Sequence, residues 1–406
     1  MSAPVSRCPA AARFSIDVDA LVAFTRELVR IPSVNRPEEG LDESRAAARV
    51  AEQMRSFGWE PRVEEVAADR PNVVAVLEGD RAGRTLMFEG HTDVVTEGER
   101  AAWSHAPFGG DIVDGRLYGR GAADMKAGVA CMLFAADAVA RAGFPGRLVV
   151  AALVDEEEMM IGAKAFAADP LASRIDAAIV CEPEGGEVCH TQKGAVRLRV
   201  DAVGRMAHGA MPDHGLNPVY ALCTFGVRMA EVERDLQVEH GADEHLGPPF
   251  LTPTVLLAGE PEQVNVIPGD AWMALDIRTI PGVDHGELLR RLEAEAAIVG
   301  RDTDVDIKLT VIDDRPPTRT PPDSDVVVAV MDAHEVVVGE RPPLGGVPGT
   351  TDGTILWRDA RIPVVTYGPG GKWIAHQVDE YVEIEELGRY ALVYAEAASR
   401  YLESER

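Results

Sequence analysis

Apolar runs that stop abruptly on a histidine or a carboxylate constrain this chain more than any other feature. TLMFEG (Thr85 to Gly90) leads into His91-Thr92-Asp93, RLVVAALV (Arg147 to Val154) into Asp155-Glu156-Glu157-Glu158, and AAIV (Ala177 to Val180) with Cys181 into Glu182-Pro183. Short uninterrupted apolar runs suit strands buried on both faces, and amphipathic stretches between them suit helices packed over a sheet. Two further segments, Ala123-Asp124-Met125-Lys126 and Ala375-His376, carry the same residue types. A parallel sheet would deliver all five to a single rim.

The flanks repeat this α/β habit. Asp17 to Ile31 and Asp42 to Phe57 have apolar residues at helical spacing, VVAVLEG (Val73 to Gly79) reads as a strand, and Ala122 to Ala142 as one long alanine-rich helix. Ala163 to Ala168 reads as a helix. After the proline-rich PPTRTPP stretch come a helix from Asp325 to Val338, a strand from Pro363 to Tyr367 and a closing helix from Ile384 to Leu402. The middle follows another order: strand Ala195 to Val203, helix Asn217 to Leu236, strands Thr254 to Ala258 and Ala271 to Ile280, helix Glu287 to Ile298, strand Val305 to Val311. That βαββαβ order is the split arrangement of a ferredoxin-like domain. The chain is therefore expected to hold an α/β domain made of residues 1–193 and 315–406, with an insertion at 194–314.

With 406 residues, 46% of them hydrophobic and 26% charged, the chain is long enough for roughly two to three globular cores. Its net charge of -27 makes nucleic acid and anionic membranes poor partners, while metal cations suit it. Five cysteines (Cys8, Cys131, Cys181, Cys189, Cys223) without a CxxC pair argue against a disulfide framework and for a reducing cytoplasm. Met1 to Ala12 lacks the apolar segment of a secretory signal. The run from Leu148 to Val154 falls far short of the roughly 20 apolar residues of a membrane span.

Each segment has a bland alternative. His91 and Asp93, two apart at a strand end, suit an imidazole ligand with an orienting carboxylate, or a plain surface loop. Asp124 fits a helix N-cap or a carboxylate shared by two cations. The run Asp155 to Glu158 is hardest to explain structurally, because four carboxylates at a sheet edge repel one another unless cations or shared protons relieve them. Of adjacent glutamates there, one can ligate metal while the other works on bound water. Glu182 could be an ordinary loop glutamate, and His376, behind Gly368, Gly370 and Gly371, a structural histidine. Together, two histidines with Asp and Glu suit zinc, and also manganese or cobalt.

In this order and spacing the segments resemble the co-catalytic zinc amidohydrolases, a family that includes acetylornithine deacetylase, succinyl-diaminopimelate desuccinylase, aminoacylase and carboxypeptidase G. The resemblance runs from the first helix to HQVDEYV. It implies a metallohydrolase domain with an inserted lid and dimerisation domain, and two divalent metal ions. His91, Asp124 and Glu182 would hold one ion, and Asp124, Glu157 and His376 the other. Asp93 would orient His91, and Glu156 would be the general base. GRMAHGAMPDHGLNP resembles the family segment whose histidine, here His208, reaches the site of a partner subunit, which implies a homodimer. VNVIPGDAWMALDIRTIPG matches the stretch whose Asn265 and Arg278 touch substrate, although Arg278 by itself reads as a strand-end ion pair. Thr350, Thr351 and Asp352 in GGVPGTTDG resemble a further loop near the site.

The implied activity is hydrolysis of an amide C–N bond in a small carboxylate-bearing substrate, an N-acyl amino acid or a dipeptide. Two features depart from the family pattern. Glu158, Met159 and Met160 stand before Gly162 where the family usually has glycines soon after the double glutamate, and Ala127 replaces a common glycine. Both bear on substrate choice, and they leave room for an aminohydrolase acting on an unusual C–N bond. A non-catalytic scaffold of the same fold would lack a ligand or the base, and none is missing.

Overall fold

The computed structural model describes residues 9–404. Cys8 and most of the Met1 to Ala12 stretch therefore lie outside the described residues. The chain divides into two compact units: the first runs to His190 and includes Arg319–Gly346 and Thr351 onward, and the second holds Thr191–Thr318 with Val347–Thr350.

A nine-stranded mixed sheet organises the first unit. From one edge its strands run in the spatial order Arg62–Ala67, Arg70–Glu78, Arg147–Leu153, Thr85–His91, Ala177–Val180, Val364–Thr366, Val188–Gln192 and Thr318–Arg319, with Leu344–Val347 also paired to Val188–Gln192. The expectation of a parallel sheet holds only for the four central strands, from Arg147–Leu153 to Val364–Thr366. Arg70–Glu78 pairs antiparallel with Arg147–Leu153, and Thr366 pairs antiparallel with Cys189.

The apolar runs are continuous because helices cover both faces. Leu86, Phe88, Leu148, Val150, Ala177 and Ile179 point into a core shared with the helices Val18–Val29, Ala127–Ala142, Asp325–Val338 and Ile384–Glu403. The alternating residues Met87, Val149, Ala151, Leu153 and Ala178 point the other way, onto the helices Ile161–Ala167 and Gly353–Ala360. This is the period-two alternation of a strand, with both phases buried.

The long helix expected from Ala122 to Ala142 is broken. Residues Ala122–Lys126 form a wide irregular turn in which Asp124 and Met125 have non-helical backbone angles, and the regular helix starts at Ala127. Alanine-rich composition favours helix throughout. Tertiary bonds win here, because Glu380 accepts the amides of Ala123 at 2.9 Å and Asp124 at 3.0 Å.

In the second unit the strands Gly194–Val203, Phe250–Ala258, Asp270–Thr279 and Asp306–Arg315 form an antiparallel sheet, with the first strand central between the last two and Phe250–Ala258 at an edge. Helices Pro218–His240 and His285–Thr303 cover one face, packing on Val196, Leu198, Val200 and Ala202. Asn217 and Asp284 cap them by accepting the amides of Val219 and Glu287. The intervening residues Ala195, Arg197, Arg199 and Asp201 face away from the helices.

Candidate metal centre

Three of the five segments reach the rim from adjacent parallel strands: His91 ends one, Glu182 follows a second, and Glu156 and Glu157 follow a third. Asp124 comes instead from the irregular turn, and His376 from the loop after Val364–Thr366, so the sheet delivers three segments rather than five. Gly128 is what lets the turn approach. A Cβ there would stand 2.0 Å from the Cys181 carbonyl oxygen, so only glycine lets this helix start lie against the segment that carries Glu182.

The side chains converge. His91 Nε2 lies 3.1 Å from Asp124 Oδ1 and 3.4 Å from Glu182 Oε1. His376 Nε2 lies 3.1 Å from both Asp124 Oδ2 and Glu157 Oε1. Asp124 thus presents one oxygen to each histidine. Potential ligand atoms of His91, Glu156 and Glu182 fall within 4.8 Å of one another, as do those of His91, Asp124 and Glu157. His91 and Glu182 are buried, while the His376 side chain is half exposed.

Asp93 acts in two directions. Its backbone carbonyl is 3.1 Å from His91 Nδ1 and its carboxylate 3.4 Å, while the same carboxylate accepts the amides of Glu156 and Glu157 at 3.2 and 3.1 Å. One residue thereby fixes the His91 ring and the turn that bears both glutamates.

Within that turn Asp155 faces away from the centre. It pairs with Arg70 at 2.6 Å, and Oδ2 accepts the amides of Met159 and Ile161. Arg70 also meets Glu43 at 2.5 Å. The repulsion expected along Asp155 to Glu158 is thus partly relieved by an arginine, with Glu158 drawn off to Asn35 at 2.8 Å. Glu156 and Glu157 are left crowded at the rim.

Charge is concentrated where water is scarce. Burial, then the charge of Asp124, pushes the Glu182 carboxyl up to about 8. Burial raises Glu156 well above the carboxylate range and Glu157 above it. Burial would also raise Asp124, but hydrogen bonds from His376 and His91 override it and hold that carboxyl far below its usual value. The bonds to Asp124 and Glu157 lift His376 to about 11. Burial opposes a charge on His91, yet the field of Glu182 and the bonds to Asp124 and Asp93 raise it well above its ordinary value. Protons are doing here what cations would do better. Two imidazoles with carboxylate oxygens at these separations are a donor set that fits divalent metal ions.

Some supporting residues were not singled out from the sequence. Glu380, buried, takes the amides of Ala123 and Asp124 and pairs with buried Arg120, whose Nη2 reaches the His376 carbonyl at 3.2 Å. Lys372 bridges Glu184 at 3.0 Å and Glu187 at 2.8 Å, tying the loop before His376 to the loop after Glu182. Glu89 is fully buried two residues before His91, and burial followed by the charge of Asp352 lifts its carboxyl well above normal. Glu380 stands four residues past His376 in HQVDEY, so its place beside a candidate ligand was its one available signal.

The other expected residues divide between the units. Thr351 and Asp352 are buried in the first, where the Thr351 hydroxyl accepts the Gly353 amide. His208, Asn265 and Arg278 belong to the second. Exposed His208 sits in a two-stranded ribbon opposite Val266, and the Gly209 amide donates to the Asn265 carbonyl at 2.7 Å. Arg278 makes the strand-end ion pair that its sequence position allowed, with Asp276 at 2.9 Å.

A largely buried cluster of two histidines and several carboxylates, centred on the carboxyl ends of three parallel strands, defines a class, the metal-dependent hydrolases. The chain belongs to peptidase family M20/M25/M40, whose family model matches residues 87–400, and it is a hydrolase of amide bonds. Among curated proteins it is 35% identical over 392 residues to a succinyl-diaminopimelate desuccinylase of Cereibacter sphaeroides, covering 94% of this chain and 98% of the relative. Among solved structures the fold is similar to that of the dipeptidase Dug1p from Saccharomyces cerevisiae (TM-score 0.76, 16% identity, 98% and 99% of the two chains covered). It is also similar to a dinuclear metal-binding M20 peptidase from Bacillus subtilis (TM-score 0.71, 17% identity, 96% and 99% covered).

Proposed function

We propose that this protein hydrolyses an N-acyl amide bond in a small carboxylate-bearing substrate, using two divalent metal ions, zinc with cobalt or manganese as alternatives. The observation that carries this reading is that Asp124 offers one carboxylate oxygen to each of the two histidines, 3.1 Å from both. His91, Asp124 and Glu182 would hold one ion, and Asp124, Glu157 and His376 the other. When bound, such a pair polarises the scissile carbonyl and lowers the pKa of water from 15.7 towards about 7.

The chain's own residues supply the rest. Glu156 takes the proton from the attacking water and hands it to the leaving amine, a role helped by a carboxyl that burial has already made more basic. Asp93 keeps the His91 ring and the Glu156 amide in register. Asn265, Arg278 and Thr351 hold the substrate, with Arg278 gripping a carboxylate in fork geometry. Replacing Glu156 with alanine is expected to leave both ions bound and to lower kcat by about a hundredfold to ten-thousandfold. Near-normal turnover in that variant excludes Glu156 as the base.

The second unit we read as an inserted ferredoxin-like lid and dimerisation domain, from which His208 steadies the tetrahedral oxyanion in a partner's site. What supports a partner is the edge strand Phe250–Ala258, whose Val255, Leu256 and Leu257 side chains are exposed beside an unpaired backbone edge. Sedimentation is expected to show a homodimer, and Leu256→Glu monomers with much reduced turnover; fully active monomers would exclude a shared site. We place the protein in the cytoplasm because Cys131, Cys181, Cys189 and Cys223 are free thiols. Among the described residues no helix is long and apolar enough to cross a membrane.

A further inference from the structure

A cavity of about 700 Å³ opens at the end of the first sheet away from the metal centre, among residues 78–85, 146–147 and 173–176. Three adjacent parallel strands begin there. Thr85 opens the strand that ends at His91, Arg147 opens the strand that leads to Glu156, and Asp176 stands just before the strand that leads to Glu182. The first two strands have seven residues each, so at about 3.3 Å per residue roughly 20 Å separates the cavity from the metal centre. The cavity therefore takes no part in the hydrolytic chemistry proposed above, and its size is that of a small-molecule site, about 300 to 1,000 Å³.

Main-chain bonds fix its walls. The Gly79 amide donates to the Gly146 carbonyl at 2.8 Å, Gly146 to the Arg81 carbonyl at 2.7 Å, and Arg147 to the Arg84 carbonyl at 2.9 Å. A Cβ on Gly79 would stand 2.3 Å from the Phe144 carbonyl oxygen, and one on Gly146 2.1 Å from that of Arg84. Only glycine lets the two turns close this tightly. On the third side the Asp176 carboxylate accepts the Thr85 amide at 2.7 Å, and the Asp176 amide donates back to the Thr85 carbonyl at 2.9 Å.

The charges on those walls do not balance. In a chain of net charge -27, the lining sets the guanidiniums of Arg81, Arg147 and Arg174 against the carboxylates of Glu78 and Asp176. Arg147 meets Glu78 at 2.8 Å. Arg81 pairs with Asp80, its neighbour in sequence, at 3.3 Å with both side chains well exposed, and such a pair holds a side chain weakly. Exposed Arg174 meets no carboxylate among the described residues. Ser173 beside it spends its hydroxyl on the Pro170 carbonyl at 2.8 Å.

We propose that Arg81, Arg147 and Arg174 form an anion site at the amino end of the first sheet, separate from the metal centre, that takes a small molecule through a multiply charged oxyanion group, a phosphate or a pair of carboxylates. Planar guanidiniums suit either group because each presents two parallel N–H donors to two oxygens. Glu78 and Asp176 limit the surplus of positive charge, which fits a ligand that binds and leaves.

The test is calorimetry on the full metal-loaded protein with inorganic phosphate and, separately, with succinate. An anion held at the metal centre does not touch Arg174, so Arg174→Met isolates the cavity. That variant is expected to bind at least one of the two anions about tenfold more weakly than wild type, as loss of a charge-assisted hydrogen bond implies. Arg55→Met, which removes an exposed arginine from the helix Ser44–Ser56, should leave both affinities as they are. A loss confined to phosphate upholds the site and assigns it a phosphate ester, and a loss confined to succinate upholds it and assigns a dicarboxylate. Should Arg174→Met not yield folded protein, Arg81→Met serves the same purpose. Equal binding of both anions by wild type and variant, or no binding of either by wild type, overturns the proposal.

Discussion

The rim of the first sheet and the open face of the second both crowd like charges, acidic in one and basic in the other, and they are held in different ways. At the rim, Glu156 and Glu182 are buried and Glu157 is partly so, and backbone amides, Asp93, Arg70 and Glu380 fix the segments around them. On the open face each of two arginines carries its own aspartate two residues away on the same strand, and the surplus rests on Lys193 and Arg197. A rigid, desolvated set of acids suits small cations that demand fixed geometry. A looser, half-neutralised set of cations offers no such fixed geometry. The difference lies in which charges the fold has already compensated.

That contrast breaks most easily at its bracing residues. Glu380→Gln keeps an oxygen for the Ala123 and Asp124 amides but loses the ion pair with Arg120, which also supports the His376 carbonyl. Metal affinity, followed by competition with a chromogenic chelator, should fall by about tenfold to a hundredfold, as for other residues that orient ligands. Unchanged affinity would mean that the ligands hold themselves in place.

A smaller effect concerns pH. In the metal-free protein Glu182 sits at about 8 against 4.5 unperturbed, and His376 at about 11 against 6.5. Both folded values are raised, so their stabilisation is complete below the unfolded values and is lost as pH climbs through the folded ones. Asp124, depressed, works in the opposite sense, but only in acid, below its ordinary value of 3.8. Metal-free protein should therefore melt lower near pH 8.5 than near pH 5.5, while metal, which needs deprotonated ligands, stabilises more as pH rises. Thermal melts of dialysed and reloaded protein at about these two pH values check this, and a metal-dependent gap that narrows with rising pH contradicts it.

Much of the rim could be read from the chain because its information is local. The runs ending at Asp155 and Cys181 are uninterrupted apolar strands, the run ending at His91 is broken only by Glu89, and whatever follows such a strand in an α/β sheet emerges at its carboxyl edge. The break at Asp124 could not be read. Ala122 to Ala142 has the composition of a helix, and the group that undoes its first turn, Glu380, is 256 residues away in sequence from Asp124. Asp155 was hidden for a similar reason, since Arg70, on a neighbouring strand, decides that it faces away from Glu156 and Glu157. The cationic face was harder still: Arg197, Arg278 and Arg315 lie on three strands, and only the pairing register brings them around Ala195.

The shared carboxylate is most directly tested by counting metal. After dialysis and reloading, with ions per chain measured by elemental analysis and calorimetry, wild type should hold two ions, and Asp124→Ala at most one, with activity lost alongside. Two ions held with undiminished affinity in Asp124→Ala would show that this side chain does not join them.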